Sequence, residues 1–128
     1  MTAGPTPADE RRRRAERWGL SAETRAVWSL RLKGYAIVAR RFKCPRGEID
    51  VIARRGRTLA FVEVKARSSF EAALEAVTPR GRRRIEAAAS AWGARNPAFA
   101  DFFWRYDIIA VVPRRWPKHV VDAFRAGE

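Results

Sequence analysis

Apolar residues recur along this chain with two different periods. From about Ser21, Ala22, Ala26, Val27 and Leu30 return at helical spacing until Gly34 ends the pattern, which predicts a first helix over about 21–33. Three short extended segments follow, Tyr35 to Lys43, Glu48 to Arg54 and Thr58 to Ala66. They are separated by Cys44-Pro45-Arg46-Gly47 and Arg55-Gly56-Arg57, turn-forming stretches that predict a three-stranded antiparallel meander. The third segment, Leu59-Ala60-Phe61-Val62-Glu63-Val64-Lys65, is apolar on both faces until its end, as a strand covered on both sides would be. After a polar turn at Arg67-Ser68-Ser69, the pattern predicts a helix from about Pro79 to Trp92, broken by Asn96 and Pro97. Tyr106 to Val112 then forms a fourth strand that stops at Pro113. A helix between the third and fourth strands predicts a parallel crossover. Over His119 to Phe124 the pattern fits a short strand and a helix equally.

Composition adds partners to this outline. The 128 residues suffice for one hydrophobic core, and 47% hydrophobic with 32% charged residues describes a globule with a heavily charged surface. Residues 1–8 are small, polar and proline-containing, and Arg11, Arg12, Arg13 and Arg14 dominate the run that follows. The expectation is a flexible basic arm over 1–17 ahead of a single domain over 18–128. A formal net charge of +13 and a pI of 11.5 point to polyanionic partners, above all the phosphate backbone of nucleic acid. No run of about 18 apolar residues is present, and the start of the chain lacks the apolar core of a signal peptide, so a soluble cytoplasmic protein with no membrane partner is expected. Cys44 and His119 are the sole cysteine and histidine, which removes disulfides and Cys/His zinc sites and leaves oxygen ligands for any catalytic metal.

The acids on the meander carry the candidate chemistry. Side chains alternate along a strand, so Asp50 shares a face with Glu48 and Ile52, and Glu63 shares a face with Phe61 and Lys65. A hairpin through Arg55-Gly56-Arg57 brings Asp50 and Glu63 opposite one another to within about a residue of register. Two carboxylates so close repel unless a cation joins them, and a hard divalent ion such as magnesium, or manganese, suits that donor set. The Val64 carbonyl would be a third ligand, and Lys65 would hold or deprotonate an attacking water. Acid, apolar residue, lysine is also a common surface triplet. Its place at the end of an otherwise apolar strand argues for use or pairing, because buried charges left idle are costly.

The stretches Gly19-Leu20-Ser21-Ala22-Glu23, Gly34-Tyr35, Gly47-Glu48-Ile49-Asp50, Phe61-Val62-Glu63-Val64-Lys65, Val77-Thr78-Pro79 and Arg105-Tyr106-Asp107 together resemble the YraN-like family of bacterial proteins. That family is similar to the PD-(D/E)XK nucleases and to archaeal Holliday junction resolvases. The resemblance implies an α/β, restriction-endonuclease-like three-layer fold, with a central mixed sheet flanked by helices. It also implies a catalytic cluster of Glu23, Asp50, Glu63 and Lys65, with metal held by Asp50, Glu63, Val64 and Glu23. Ile49 stands in place of the superfamily's proline, Ala22 in place of a second glycine, and Gly81 where the family often has lysine. The last removes a cation beside the cluster, unless Arg80 or Arg82 substitutes.

Glu23 also reads as an ordinary helix glutamate, and Arg105 with Asp107 as a mutual ion pair. The expected activity is endonucleolytic cleavage of DNA, of branched or otherwise structured form by resolvase similarity. Arg11 to Arg14, Arg67, Arg80, Arg82, Arg83 and Arg84 would grip phosphates, and a homodimer would serve a symmetric cut. The alternative is a nucleic-acid-binding scaffold that keeps the fold without the chemistry.

Overall fold

A computed structural model describes residue 4 and residues 6–127, with side chains at all of these except 15–20. The order of elements is α1 (Pro7–Leu32), β1 (Ala36–Cys44), β2 (Gly47–Arg55), β3 (Thr58–Ala66), α2 (Phe70–Glu75), α3 (Pro79–Arg95), a 3-10 turn (Pro97–Phe99), β4 (Phe103–Val111) and β5 (Lys118–Phe124). The five strands form one sheet in the order β1-β2-β3-β4-β5. Its pairs are antiparallel except β3 with β4, which run parallel across the α2–α3 crossover.

Strand alternation sorts the core into two layers. On one face Val51, Ala53, Ala60, Val62, Ile109 and Val111 meet Ala22, Ala26, Val27 and Leu30 of α1. On the other, Ile52, Leu59, Phe61, Tyr106 and Ile108 meet Ile85, Ala88, Ala89 and Trp92 of α3. Phe61 is fully buried, with Trp92, Trp104 and Tyr106 ring centroids 6.1, 5.0 and 5.7 Å away. Burial of such a side chain contributes about 2 to 3 kcal/mol, so β3, covered on both faces, anchors the fold. This is an α/β three-layer architecture of the restriction-endonuclease-like type, as the resemblance implied.

Three elements differ from the sequence reading, and a fourth, which it left open between strand and helix, is settled. The first helix begins at Pro7 rather than near Ser21, and passes without a break through the boundary expected at residue 17; residues 1–3 and 5 lie outside the described residues. Thr6 caps it reciprocally with Asp9, Pro7 sits in the first turn and the arginines are good helix formers, so local signals override the arm-like composition. α2 was not expected; Ser69 starts it by accepting from the Ala72 amide. β4 begins at Phe103 instead of Tyr106, because the Phe103 amide donates to the Arg57 carbonyl at the hairpin turn. Residues 118–124 are a strand, and β4–β5 carries a register shift between Tyr106 and Ile108 where Asp122 adopts φ 54°.

Candidate active site

The β2–β3 register pairs Val51 with Val62, and its continuation sets Asp50 opposite Glu63 at the end where the ladder stops. Asp50 fills the place of the next ladder acceptor, since its Oδ2 accepts from the Val64 amide at 2.8 Å. Amide and carbonyl of one strand residue point to the same side, so the Val64 carbonyl also faces β2 and Asp50. Lys65 lies on the Glu63 face, its Nζ 3.4 Å from Glu63 Oε1. The expected juxtaposition of Asp50, Glu63, Val64 and Lys65 is therefore present in the fold.

Electrostatics mark the pair as strained. Burial pushes the Asp50 carboxyl above its ordinary value, and repulsion from Glu23 adds to this, against the Val64 amide, the Glu63 hydrogen bond and the Lys65 charge. Burial also raises Glu63, to about 8, with the charge of Asp50 and their shared hydrogen bond acting in the same direction against Lys65. Such a pair holds a proton at neutral pH in place of a cation.

Two carboxylates and a carbonyl on one side of a strand end are a donor set that suits a hard divalent ion. Among the described residues, no three or more His, Cys, Asp and Glu side chains converge to hold a metal. Glu23 does not complete the set. It is 8% exposed on the inner face of α1, and both its oxygens are engaged by Arg40 and Arg41, at 3.0 and 3.1 Å. Consecutive strand residues normally point to opposite faces; φ of 54° at Arg41 breaks that alternation and lets both guanidinia reach one glutamate.

A pocket of about 130 Å³ opens beside the pair, lined by Glu48, Glu63, Lys65, Ala76, Val77, Gly81, Arg84 and Ile85. Gly47, next to Glu48, lets β2 pack directly on α3 at Arg84: a Cβ there would overlap the Arg84 backbone carbonyl. The cation beside Gly81 is Arg84, and neither Arg80 nor Arg82 lines the pocket. Arg82 lies over the Phe124 ring at 5.4 Å with its Nε buried and unpartnered, whereas Arg80, Arg83 and Arg84 are exposed on α3. Arg67 is exposed at the end of β3, and Arg11 to Arg14 are exposed along the first turns of α1.

The family description "Uncharacterised protein family UPF0102" matches residues 22–111, from the buried part of α1 to the last residue of β4. The chain belongs to the UPF0102 family. It is 59% identical over 111 residues to a UPF0102 protein of Parvibaculum lavamentivorans, covering 87% of this chain and 84% of that one. A UPF0102 protein of Brucella canis is 55% identical over 122 residues, 95% of this chain and 97% of the other. A third, from Methylorubrum populi, is 54% identical over 121 residues, 94% and 97% of the two chains. The match to UPF0102 spans Glu23, Asp50, Glu63, Lys65 and the arginines of α3, but leaves Arg11 to Arg14 outside.

Other expectations resolve into structure. Trp104 packs against Phe61 and donates from its indole nitrogen to the Phe99 carbonyl at 3.0 Å, which makes it part of the core. Trp116 is 62% exposed. Arg105 grips Asp107 through two hydrogen bonds of 2.9 and 2.8 Å, the ion pair the sequence suggested. His119 joins them, with Nε2 2.7 Å from Asp107 Oδ2 and a side chain only 2% exposed. Among the described residues, no helix is long and apolar enough to cross a membrane.

Proposed function

We propose that this chain is a divalent-metal-dependent endonuclease that hydrolyses phosphodiester bonds of DNA, with branched or otherwise structured DNA as its favoured substrate. One observation carries the reading: two carboxylates, Asp50 and Glu63, meet at a strand end beside Lys65 and a pocket edged by Arg84, with no partner among the described residues that neutralises both. Magnesium or manganese there would be held by Asp50, Glu63 and the Val64 carbonyl, and would supply charge neutralisation at the phosphate and a more acidic water. The Val64 amide fixes one Asp50 oxygen, and the hydrogen bond shared with Glu63 holds the two carboxyls together. Lys65 orients the attacking water and moves its proton. Arg84 draws the phosphodiester into the pocket, while Arg67, Arg80, Arg83 and Arg11 to Arg14 hold flanking phosphates. A symmetric cut of two strands would use two copies of the chain.

A second reading has its own support. Glu23 is committed to Arg40 and Arg41, which leaves the pair without a third acidic side chain; a scaffold that binds nucleic acid and does not cut it would tolerate that arrangement. Metal binding separates the two, because a scaffold has no use for the ion.

Linear, single-stranded, flapped and four-way-junction DNA incubated with magnesium, manganese or chelator, with Lys65→Ala protein in parallel, tests the proposal. The expected result is metal-dependent cutting that disappears in the variant. Salt-sensitive binding without cutting overturns the nuclease reading in favour of the scaffold. Affinity that does not change between low and physiological salt overturns both.

A further inference from the structure

At the opposite end of the sheet from Asp50 and Glu63 the surface combines arginine with aromatic rings. The β2–β3 turn presents Arg54, Arg55 and Arg57, all exposed. The Arg57 carbonyl accepts the Phe103 amide at 2.8 Å, which fastens this turn to the start of β4. Arg54 and Arg57 both lie over the Phe102 ring, 5.5 and 4.8 Å from its centroid, so the ring holds two guanidinium groups in place. Phe103 itself is 65% exposed. By register, Arg55, Thr58 and Phe103 form one row across three strands, on the face α1 covers further along. Asp101 is the acid in this stretch, against three arginines.

An exposed phenylalanine keeps an apolar ring in water, and a partner that covers it must also accept the cations around it: Arg54 and Arg57 over Phe102, and Arg55, which lies over Tyr35 and donates to the Lys33 carbonyl. A protein's apolar face would have to desolvate those guanidinium groups. An unpaired nucleotide satisfies both demands, since its base has a flat face for Phe103 and its phosphate pairs with arginine. We infer that the Phe102–Phe103 edge, with Arg54, Arg55 and Arg57, binds a single-stranded stretch of nucleic acid by stacking a base on Phe103. The inference rests on the nucleic-acid reading above and narrows it to substrates that carry unpaired bases. β3 runs from Thr58, beside Phe103, to Glu63 five residues on, so at about 3.3 Å per residue the patch and the carboxylate pair stand roughly 17 Å apart. A strand held at the patch reaches the carboxylate pair several nucleotides away.

Fluorescence anisotropy with a labelled single-stranded oligothymidylate and a duplex of equal length, in chelator so that nothing is cut, tests this. Phe103 is exposed, so its substitution leaves the core intact. Phe103→Ala and Phe103→Leu should weaken single-strand affinity about tenfold and duplex affinity by less than about twofold, and Phe103→Trp should restore the first. Full affinity of Phe103→Leu overturns stacking and leaves an apolar contact of the kind an acidic peptide would make. Equal weakening on both nucleic acids overturns it in favour of plain phosphate gripping. Duplex binding with unchanged single-strand affinity in every variant overturns this inference alone, whereas no binding of either form by the unsubstituted protein overturns the nucleic-acid reading with it.

Discussion

Two groups of carboxyls, one fully buried and one half-buried, sit on the same sheet and are treated in opposite ways. Asp107, fully buried on the α1 side, is saturated: Arg105 donates twice, His119 Nε2 lies 2.7 Å away and the Asp122 amide donates at 2.9 Å. Tyr35 and Lys33 extend the network, through Arg105 and His119 respectively. Burial acts to raise its pKa, but the hydrogen bonds from His119 and Arg105, the Asp122 amide and the Arg105 charge outweigh it and hold the carboxyl below the usual value. Asp50 and Glu63, on the α3 side, have each other, one amide and one lysine, and both are raised. A carboxylate whose partners are built in is part of the architecture. A pair that lacks them is the one the proposed function assigns to a ligand that brings positive charge.

The sharpest way to break this contrast is to exchange the consequences of mutation. Asp50→Ala, Glu63→Gln and Lys65→Ala should each lower metal-dependent cleavage at least roughly a thousandfold while leaving salt-sensitive DNA binding largely intact, because the proposal puts grip in distributed arginines. Parallel cleavage and binding assays check it; binding lost in step with cleavage would erase the distinction between the two clusters. Asp107→Asn should do the reverse. It leaves Arg105 with a poorer partner in a buried setting and should destabilise the fold by about 3 to 5 kcal/mol in urea unfolding. A loss below about 1 kcal/mol would mean that the Asp107 network is decorative.

The pH dependence of stability sharpens the comparison further. The folded pKa of Asp107 is depressed, so its contribution is present above the unfolded carboxyl pKa and disappears as pH falls through the folded value. Glu63 has the opposite sign. Its folded pKa of about 8 exceeds the ordinary value of 4.5, so the folded, metal-free protein binds the extra proton and loses stability as pH rises between the two. Urea titrations from pH 4 to 9 in chelator should show this alkaline decline, on the order of 2 kcal/mol, and Glu63→Gln should flatten it. An equal decline in that variant would assign the effect elsewhere. The smallest expected effect is at Gly47: Gly47→Ala forces the β1–β2 turn away from the Arg84 carbonyl and should destabilise by about 1 to 3 kcal/mol.

Much of the unsaturated cluster was legible because it is written locally. The glycine turns and the two-residue alternation of β2 and β3 fix Asp50 opposite Glu63, and the apolar run of β3 fixes which strand is central. The saturated cluster was only half legible. Arg105 and Asp107 are neighbours on one strand, but His119 and the Asp122 amide reach Asp107 through a β4–β5 bulge with no local signal. Glu23 illustrates the same limit, since its engagement by both Arg40 and Arg41 depends on the left-handed backbone of Arg41. The helical start at Pro7 had a readable capping box, outweighed by four successive arginines that obscure any periodicity. Gly81, where the resemblance implied a lysine, posed a question that only packing answers: Arg84, one turn further along α3, edges the pocket.

The central claim is that Asp50 and Glu63 await a cation, and calorimetric titration of manganese into the metal-free protein at pH 7, in two buffers of different ionisation enthalpy, tests it most directly. The account predicts one site, close to one proton released per ion as Glu63 gives up the proton it holds, and loss of that release in Glu63→Gln. Absence of binding, or binding that Asp50→Ala and Glu63→Gln leave untouched, would contradict it.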